Sequence, residues 1–398
     1  MRLAALVAAA TSLCVLATAA QAQVDEGEFA IPPYEGVYQP QDRDERGLWT
    51  MADEDERVLR DTDVVIRDPA LNDYVRGVLC RTVGQDRCES VRVYIVRVPI
   101  FNASMTPNGT MRVNSGLLLR VRSEAELASI LGHEFAHFEL RHTLANYRRS
   151  RTGSDIGAWA AVLGAAAANY GGYGYGHNAQ VAILGGVYSF RRNQESEADA
   201  LGFSYIADAG FRPIAAAEVW QGVMDETDRT AIDRGRRSPR YDGVAFFASH
   251  PTSMERAEAL ADLATRVPGG DYDGVEEYRR ATADWTPRFL ADELALNDFG
   301  GTDYVIERLG EYGQTADLLY ARGELYRGRG HPRDLVNAAQ FYRGALDLDP
   351  DLHDAWRGMG LALLRSGEFA QGSDALRTYL ELAPEANDAA MLRMMIKE

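Results

Sequence analysis

The sequence predicts an α+β fold that is mostly α: a helix-rich first domain with a small antiparallel sheet offering an edge strand, then an all-helical repeat module. Three observations predict it. Ser123 and Glu126 form a capping box that opens a long apolar helix. The pair Asn108-Gly109 separates two short extended runs, which is a hairpin signal. Pro350 and Pro384 stand 34 residues apart with helix-pair spacing between them. Of 398 residues, 46% are hydrophobic and 25% charged, which excludes a disordered or fibrous chain. A net charge of −17 argues against nucleic acid as a partner and against electrostatic docking on anionic lipid.

The elements follow in order. Arg2, the apolar run Leu3 to Leu16 and the small-x-small triplet Ala20-Gln21-Ala22 read as a signal peptide over 1–22. Cleavage before Gln23 makes the mature chain periplasmic. No run reaches the ~20 apolar residues a bilayer demands, so the mature chain has no spanning helix. Residues 23–45 read as an acidic leader and 46–267 as the main domain. Export into an oxidising compartment favours a short-range disulfide between Cys80 and Cys88 over two buried thiols. Val91 to Val98 reads as a strand, and Ala103 to Met105 with Met111 to Val113 as a hairpin. The capped helix is expected to run from Ser123 to about Tyr147. Residues 153–190 read as two Ala/Gly-rich segments around a glycine tip. Packing of small residues is preferred there over a lid or a peripheral membrane contact. A further helix covers about Asn193 to Ala209, stopped by Gly210 and Pro213. Pro268-Gly269-Gly270 opens a linker with connecting helices over 268–314. In 315–398, Trp356, Gly360, Leu363, Gly372 and Leu376 fit a tetratricopeptide repeat, and Ala338, Tyr342 and Ala345 fit a looser one.

The chemistry sits on the capped helix. His133-Glu134-Phe135-Ala136-His137 is an H-E-x-x-H motif. Histidines four apart differ by about 40° in azimuth, so one Zn²⁺ can bridge them. Glu134 lies about 100° from His133, within reach of an attacking water as general base. A third ligand is required. His142 lies about 140° from His137 on a continuous helix and is read as facing elsewhere. Leu140 and Thr143 stand where the metzincin pattern needs glycine and histidine. In Glu195-Ser196-Glu197-Ala198-Asp199, Glu195 and Asp199 share a face with Gly202, and Glu197 points about 200° away. Gly202 lets that helix come close, so Glu195 is expected as third ligand, with Asp199 holding a histidine's free N–H. The edge strand Asn102, Ala103, Ser104 and Met105 is expected to pair with an extended substrate.

Three stretches carry a family resemblance: Asn114-Ser115-Gly116-Leu117, Leu131-Gly132-His133-Glu134-Phe135-Ala136-His137 and Glu195-Ser196-Glu197-Ala198-Asp199-Ala200-Leu201-Gly202. They resemble the HtpX/BepA-type gluzincin metallopeptidases of peptidase family M48, over about Asp61 to Leu263. The resemblance implies a zincin-like domain with one Zn²⁺ per chain, held by His133, His137 and Glu195. It implies an endopeptidase of envelope protein quality control, with misfolded or unassembled proteins as substrates. The repeat module would then engage those proteins or the envelope assembly machinery. It also draws attention to His250-Pro251, with His250 read as a fourth ligand, an oxyanion donor or a structural residue. Two other readings compete: a chaperone or scaffold with a latent zinc domain, and a zinc amidase acting on a non-protein amide.

Overall fold

The computed structural model describes residues 31–150 apart from Pro32 and Val37, then 192–239, Tyr241 and 254–396. The expected signal peptide, the 153–190 hairpin and His250 lie outside the described residues. Helix α1 (Arg43–Arg60) opens on Asp42, whose carboxylate accepts from the backbone N–H groups of Asp44 and Glu45. It therefore begins within the segment read as a leader. Helix α2 (Pro69–Val83) starts with Asp68 as cap and proline in its first turn. It gives way at Gly84 to the short α3 (Gln85–Cys88). Cys80 and Cys88 are joined in a disulfide, with Cα atoms 5.0 Å apart.

Strands β1 (Arg92–Val96), β2 (Ala103–Met105) and β3 (Thr110–Asn114) form a sheet in the order β1-β3-β2. The expected sheet was antiparallel throughout; the observed one is mixed, with β1 parallel and β2 antiparallel to β3. The chain reverses twice between β1 and β3, across 97–102 and again at the hairpin, and two reversals restore the direction. Glycine is required at the hairpin. Gly109 has φ +87°, and a Cβ there would lie 2.4 Å from the Ser90 carbonyl oxygen.

Helix α4 (Ser115–Arg120) leads into α5 (Glu124–Glu139), the helix of the H-E-x-x-H motif. The expected helix to Tyr147 is broken: Leu140 caps α5, Arg141 has φ 55°, and α6 (His142–Ser150) starts afresh. Helix α7 (Arg192–Asp208) packs along α5, while α8 (Ala215–Asp233) packs on α5 and on α9 (Met254–Arg266). The α5–α7 contact is close because glycines face each other. A Cβ on Gly202 would lie 2.9 Å from the His133 backbone nitrogen.

The stretch read as a linker is packed down. Arg212 N–H donates to the Tyr272 carbonyl at 2.9 Å, and Ala125 N–H to that of Asp273 at 3.0 Å. Gly270 is forced, since a Cβ there would lie 1.8 Å from the Gly210 oxygen. Helices α10 (Val275–Thr282), α11 (Thr286–Leu294) and α12 (Phe299–Gly310) follow. Buried Arg120 pairs with Glu226 of α8 at 2.7 Å and Glu293 of α11 at 2.9 Å, tying these helices to the first domain. Helices α13 (Ala316–Arg329), α14 (Pro332–Leu348), α15 (His353–Ser366) and α16 (Phe369–Leu382) make two helical hairpins, followed by α17 (Ala389–Met395). Tyr342 fills the seam between them, where Gly323 and Gly358 leave room for its ring.

Candidate metal centre

Helix α5 is set before its histidines are reached. Ser123 Oγ accepts from the Glu126 N–H at 3.2 Å, and the Glu126 carboxylate accepts from the Arg122 N–H at 2.7 Å. Its apolar residues bury nearly the whole circumference, so His133, Glu134 and His137 are all buried. The Nε2 atoms of His133 and His137 lie 3.1 Å apart. Glu195, fully buried on α7, places Oε1 3.5 Å from His137 Nε2 and Oε2 3.6 Å from His133 Nε2. These three residues form the one cluster of potential metal ligands among the described residues.

The donor chemistry fits zinc. Two imidazole nitrogens and one carboxylate oxygen converge in a buried space, and three protein ligands leave one tetrahedral position open. Burial disfavours a charged His133, yet Asp199 and Glu195 outweigh it and raise its pKa to about 9.

Behind His133, Asp199 Oδ1 lies 3.0 Å from Nδ1. Sequence reasoning missed Arg256 of α9. Its guanidinium donates from Nε and Nη2 to the two Asp199 oxygens, each at 2.7 Å, and its Nη1 stands 2.6 Å from Glu195 Oε2. Glu195 Oε1 is turned toward His137, 3.5 Å from its Nε2. The guanidinium lies 4.6 Å from the Trp220 ring centroid, and that ring meets His133 edge-on at 6.2 Å. Burial raises the Asp199 carboxyl, but Arg256 holds it below its ordinary value. One signal was available: Arg256 continues the buried stripe Leu260 and Leu263 of α9, where a charge needs a partner.

His142 is the second miss, and here the reading was wrong. His142 does not face elsewhere; its Nδ1 is 2.8 Å from His137 Nδ1, and its Nε2 is 3.0 Å from Glu197 Oε2. The 140° argument assumed a continuous helix, and the left-handed Arg141 brings the next residue back beneath the site. Glu197 does leave the face of α7 that carries Glu195, and it ends on His142. Burial lowers the His142 pKa, against the upward pull of Glu197.

The edge strand lies against α5. Asn102 precedes β2 and its carbonyl accepts from the Asn114 N–H at 3.0 Å, while Thr106 N–H donates to the Thr110 carbonyl at 2.9 Å. Alternation along an antiparallel pair then turns the backbone groups of Ser104 toward β3 and those of Ala103 and Met105 toward the side with no strand partner among the described residues.

Comparison with known proteins gives the same outline. The profile of Peptidase family M48 matches residues 65–264, and that of a tetratricopeptide repeat matches 327–397. The beta-barrel assembly-enhancing protease of Yersinia pestis is 28% identical over 279 residues, 67% of this chain and 55% of that protein. Its Escherichia coli K12 namesake is 27% identical over 218 residues, 53% of this chain and 42% of that protein. The mitochondrial metalloendopeptidase OMA1 of Schizosaccharomyces pombe is 28% identical over 191 residues, 48% of this chain and 52% of that protein. The chain thus spans about half the length of these curated relatives. With the family profile covering just over half of its residues and the His133, His137 and Glu195 cluster inside the matched stretch, the chain belongs to peptidase family M48.

Proposed function

We propose that the protein is a zinc-dependent endopeptidase of the bacterial envelope, acting on proteins that have misfolded or failed to assemble. The observation that carries this reading is the buried convergence of His133 Nε2, His137 Nε2 and Glu195, with Glu134 between the histidines in sequence. Bound there, zinc supplies Lewis acidity toward the scissile carbonyl and toward the attacking water. Glu134 takes the proton from that water and returns it to the leaving amine. Arg256 and Asp199 hold the Glu195 and His133 side chains in place while this happens. The outward backbone groups of Ala103 and Met105, which face no strand among the described residues, pair with an extended peptide, which binds main chain and leaves sequence preference weak.

The envelope setting rests on the signal-like 1–22 segment and on relatives named for beta-barrel assembly. No helix among the described residues is long and apolar enough to cross a membrane. The repeat module at the C-terminal side serves to engage client proteins or the assembly machinery. A Glu134→Gln trap expressed in a bacterial envelope tests the substrate class. Captured unassembled outer-membrane proteins, absent from a Glu134→Gln/Glu195→Ala control, would support it. Equal capture by both forms would count against it.

A further inference from the structure

We propose that Glu197 and His142 form a relay behind His137 that fixes its tautomer and aim as a metal ligand, so that one turn of α7 supplies a ligand and the backing for both histidines. The proposal rests on the zinc reading of the site. It follows from where the protons must be. A metal-binding imidazole nitrogen is bare, so a neutral His137 that offers Nε2 carries its proton on Nδ1. That Nδ1 lies 2.8 Å from Nδ1 of His142. Two ring nitrogens at this distance need one proton between them, so His142 Nδ1 accepts and its own proton sits on Nε2. Nε2 in turn lies 3.0 Å from Glu197 Oε2, which can only accept. The reverse assignment would set a bare nitrogen against a carboxylate. With both rings neutral, one protonation pattern satisfies the whole series, and it is the pattern that leaves His137 Nε2 bare as a metal ligand must be.

The backbone is shaped to make this contact. Arg141 takes up the left-handed conformation, φ 55°, that few non-glycine residues adopt. It turns the chain so that the His142 ring meets that of His137 edge-on, centroids 4.9 Å apart. Gln194 of α7 donates to the His142 carbonyl at 3.3 Å and holds the turn. The two histidines are thus backed differently. His133 has the buried carboxylate of Asp199, itself clamped by Arg256. His137 reaches, through His142, a carboxylate whose side chain is 56% exposed. Along α7, Glu195 is the ligand, Glu197 ends one series and Asp199 the other.

The test is zinc affinity of the full chain, measured by competition with a chromophoric chelator, with thermal unfolding of the metal-free form as the check on folding. Glu197→Ala and His142→Ala should each weaken zinc binding by roughly 10–100-fold, the usual effect of removing such a partner. Glu197→Gln keeps an oxygen acceptor and should restore most of the affinity. Because the two residues act in series, the double alanine variant should lose no more than His142→Ala alone. Two results would overturn the relay: wild-type affinity in Glu197→Ala, or additive losses in the double variant. A wild-type protein that binds no zinc would instead sink the reading of the site on which the relay rests.

Discussion

Replacing Gly202 with alanine drives a methyl group into the backbone of the helix that carries both histidines. The added carbon would lie 2.9 Å from the His133 nitrogen, 3.0 Å from its Cα and 3.2 Å from the Gly132 carbonyl carbon. Carbon contacts relax at about 3.5–4.0 Å, so α7 must back away from α5 by about 0.5–1 Å. None of the opposing atoms is a side-chain end that could swing aside. Glu195 sits two turns earlier on the same helix, about 10 Å along its axis, and moves with it. Metal–ligand distances tolerate only about 0.2 Å, so the displacement exceeds what the site can absorb. Gly202→Ala should therefore weaken zinc binding at least tenfold, on the scale of perturbations around a metal site. It should also cost about 1–3 kcal/mol of stability in the metal-free form through overpacking. Chelator competition measures the first and urea unfolding the second. Wild-type zinc affinity in this variant would refute the argument that the glycine contact sets the ligand distance.

Other consequences can be checked alongside. Arg256→Lys should not rescue Arg256→Ala in unfolding or zinc-binding measurements, because one ammonium cannot bond both Asp199 oxygens and Glu195 together. Recovery to wild-type values would contradict this. Glu56 is held down to about 2 by Arg92 and Tyr94, against the upward push of burial. A carboxyl depressed below its ordinary value of 4.5 stabilises the fold above that pH and loses the contribution as pH falls through about 2. Glu56→Gln should then cost on the order of 2 kcal/mol at pH 7, after allowing for the partly exposed Arg92, with the cost shrinking as pH falls below 4.5 and vanishing below about 2. A difference in urea unfolding that stays constant with pH would exclude it. Ending the chain at Pro268 should destabilise the first domain by several kcal/mol, since it strips Glu293 from buried Arg120. An unchanged midpoint for that truncated form would show the connecting helices to be dispensable.

What the sequence revealed was short in range. The H-E-x-x-H spacing, the Ser123 cap, the Asn108-Gly109 turn and the shared face of Glu195 and Asp199 all follow from local periodicity, and the cap and the turn are found in the fold. The 34-residue spacing exposed the helical hairpins for the same reason. The misreadings begin where one residue changes the direction of the chain. Arg141 carries no glycine or proline to betray its left-handed turn, so His142 was assigned to the wrong side. Nothing local tells that β1 pairs with β3 in parallel, because register is a property of two strands. Arg256 lies 57 residues from Asp199, and only the folded chain joins them. Gly269 and Gly270 looked like linker residues because flexible loops and close backbone contacts both select glycine.

The central claim is that His133, His137 and Glu195 hold a zinc whose peptidase chemistry depends on Glu134. The most direct measurement is zinc content together with digestion of an unfolded protein such as casein, for the wild type and Glu134→Gln in parallel. The account predicts about one zinc per chain in both proteins. It predicts digestion by the wild type and a loss of at least about 100-fold in the variant, the scale of a missing general base. Digestion by Glu134→Gln at the wild-type rate, or wild-type digestion that survives complete removal of the metal, would contradict it.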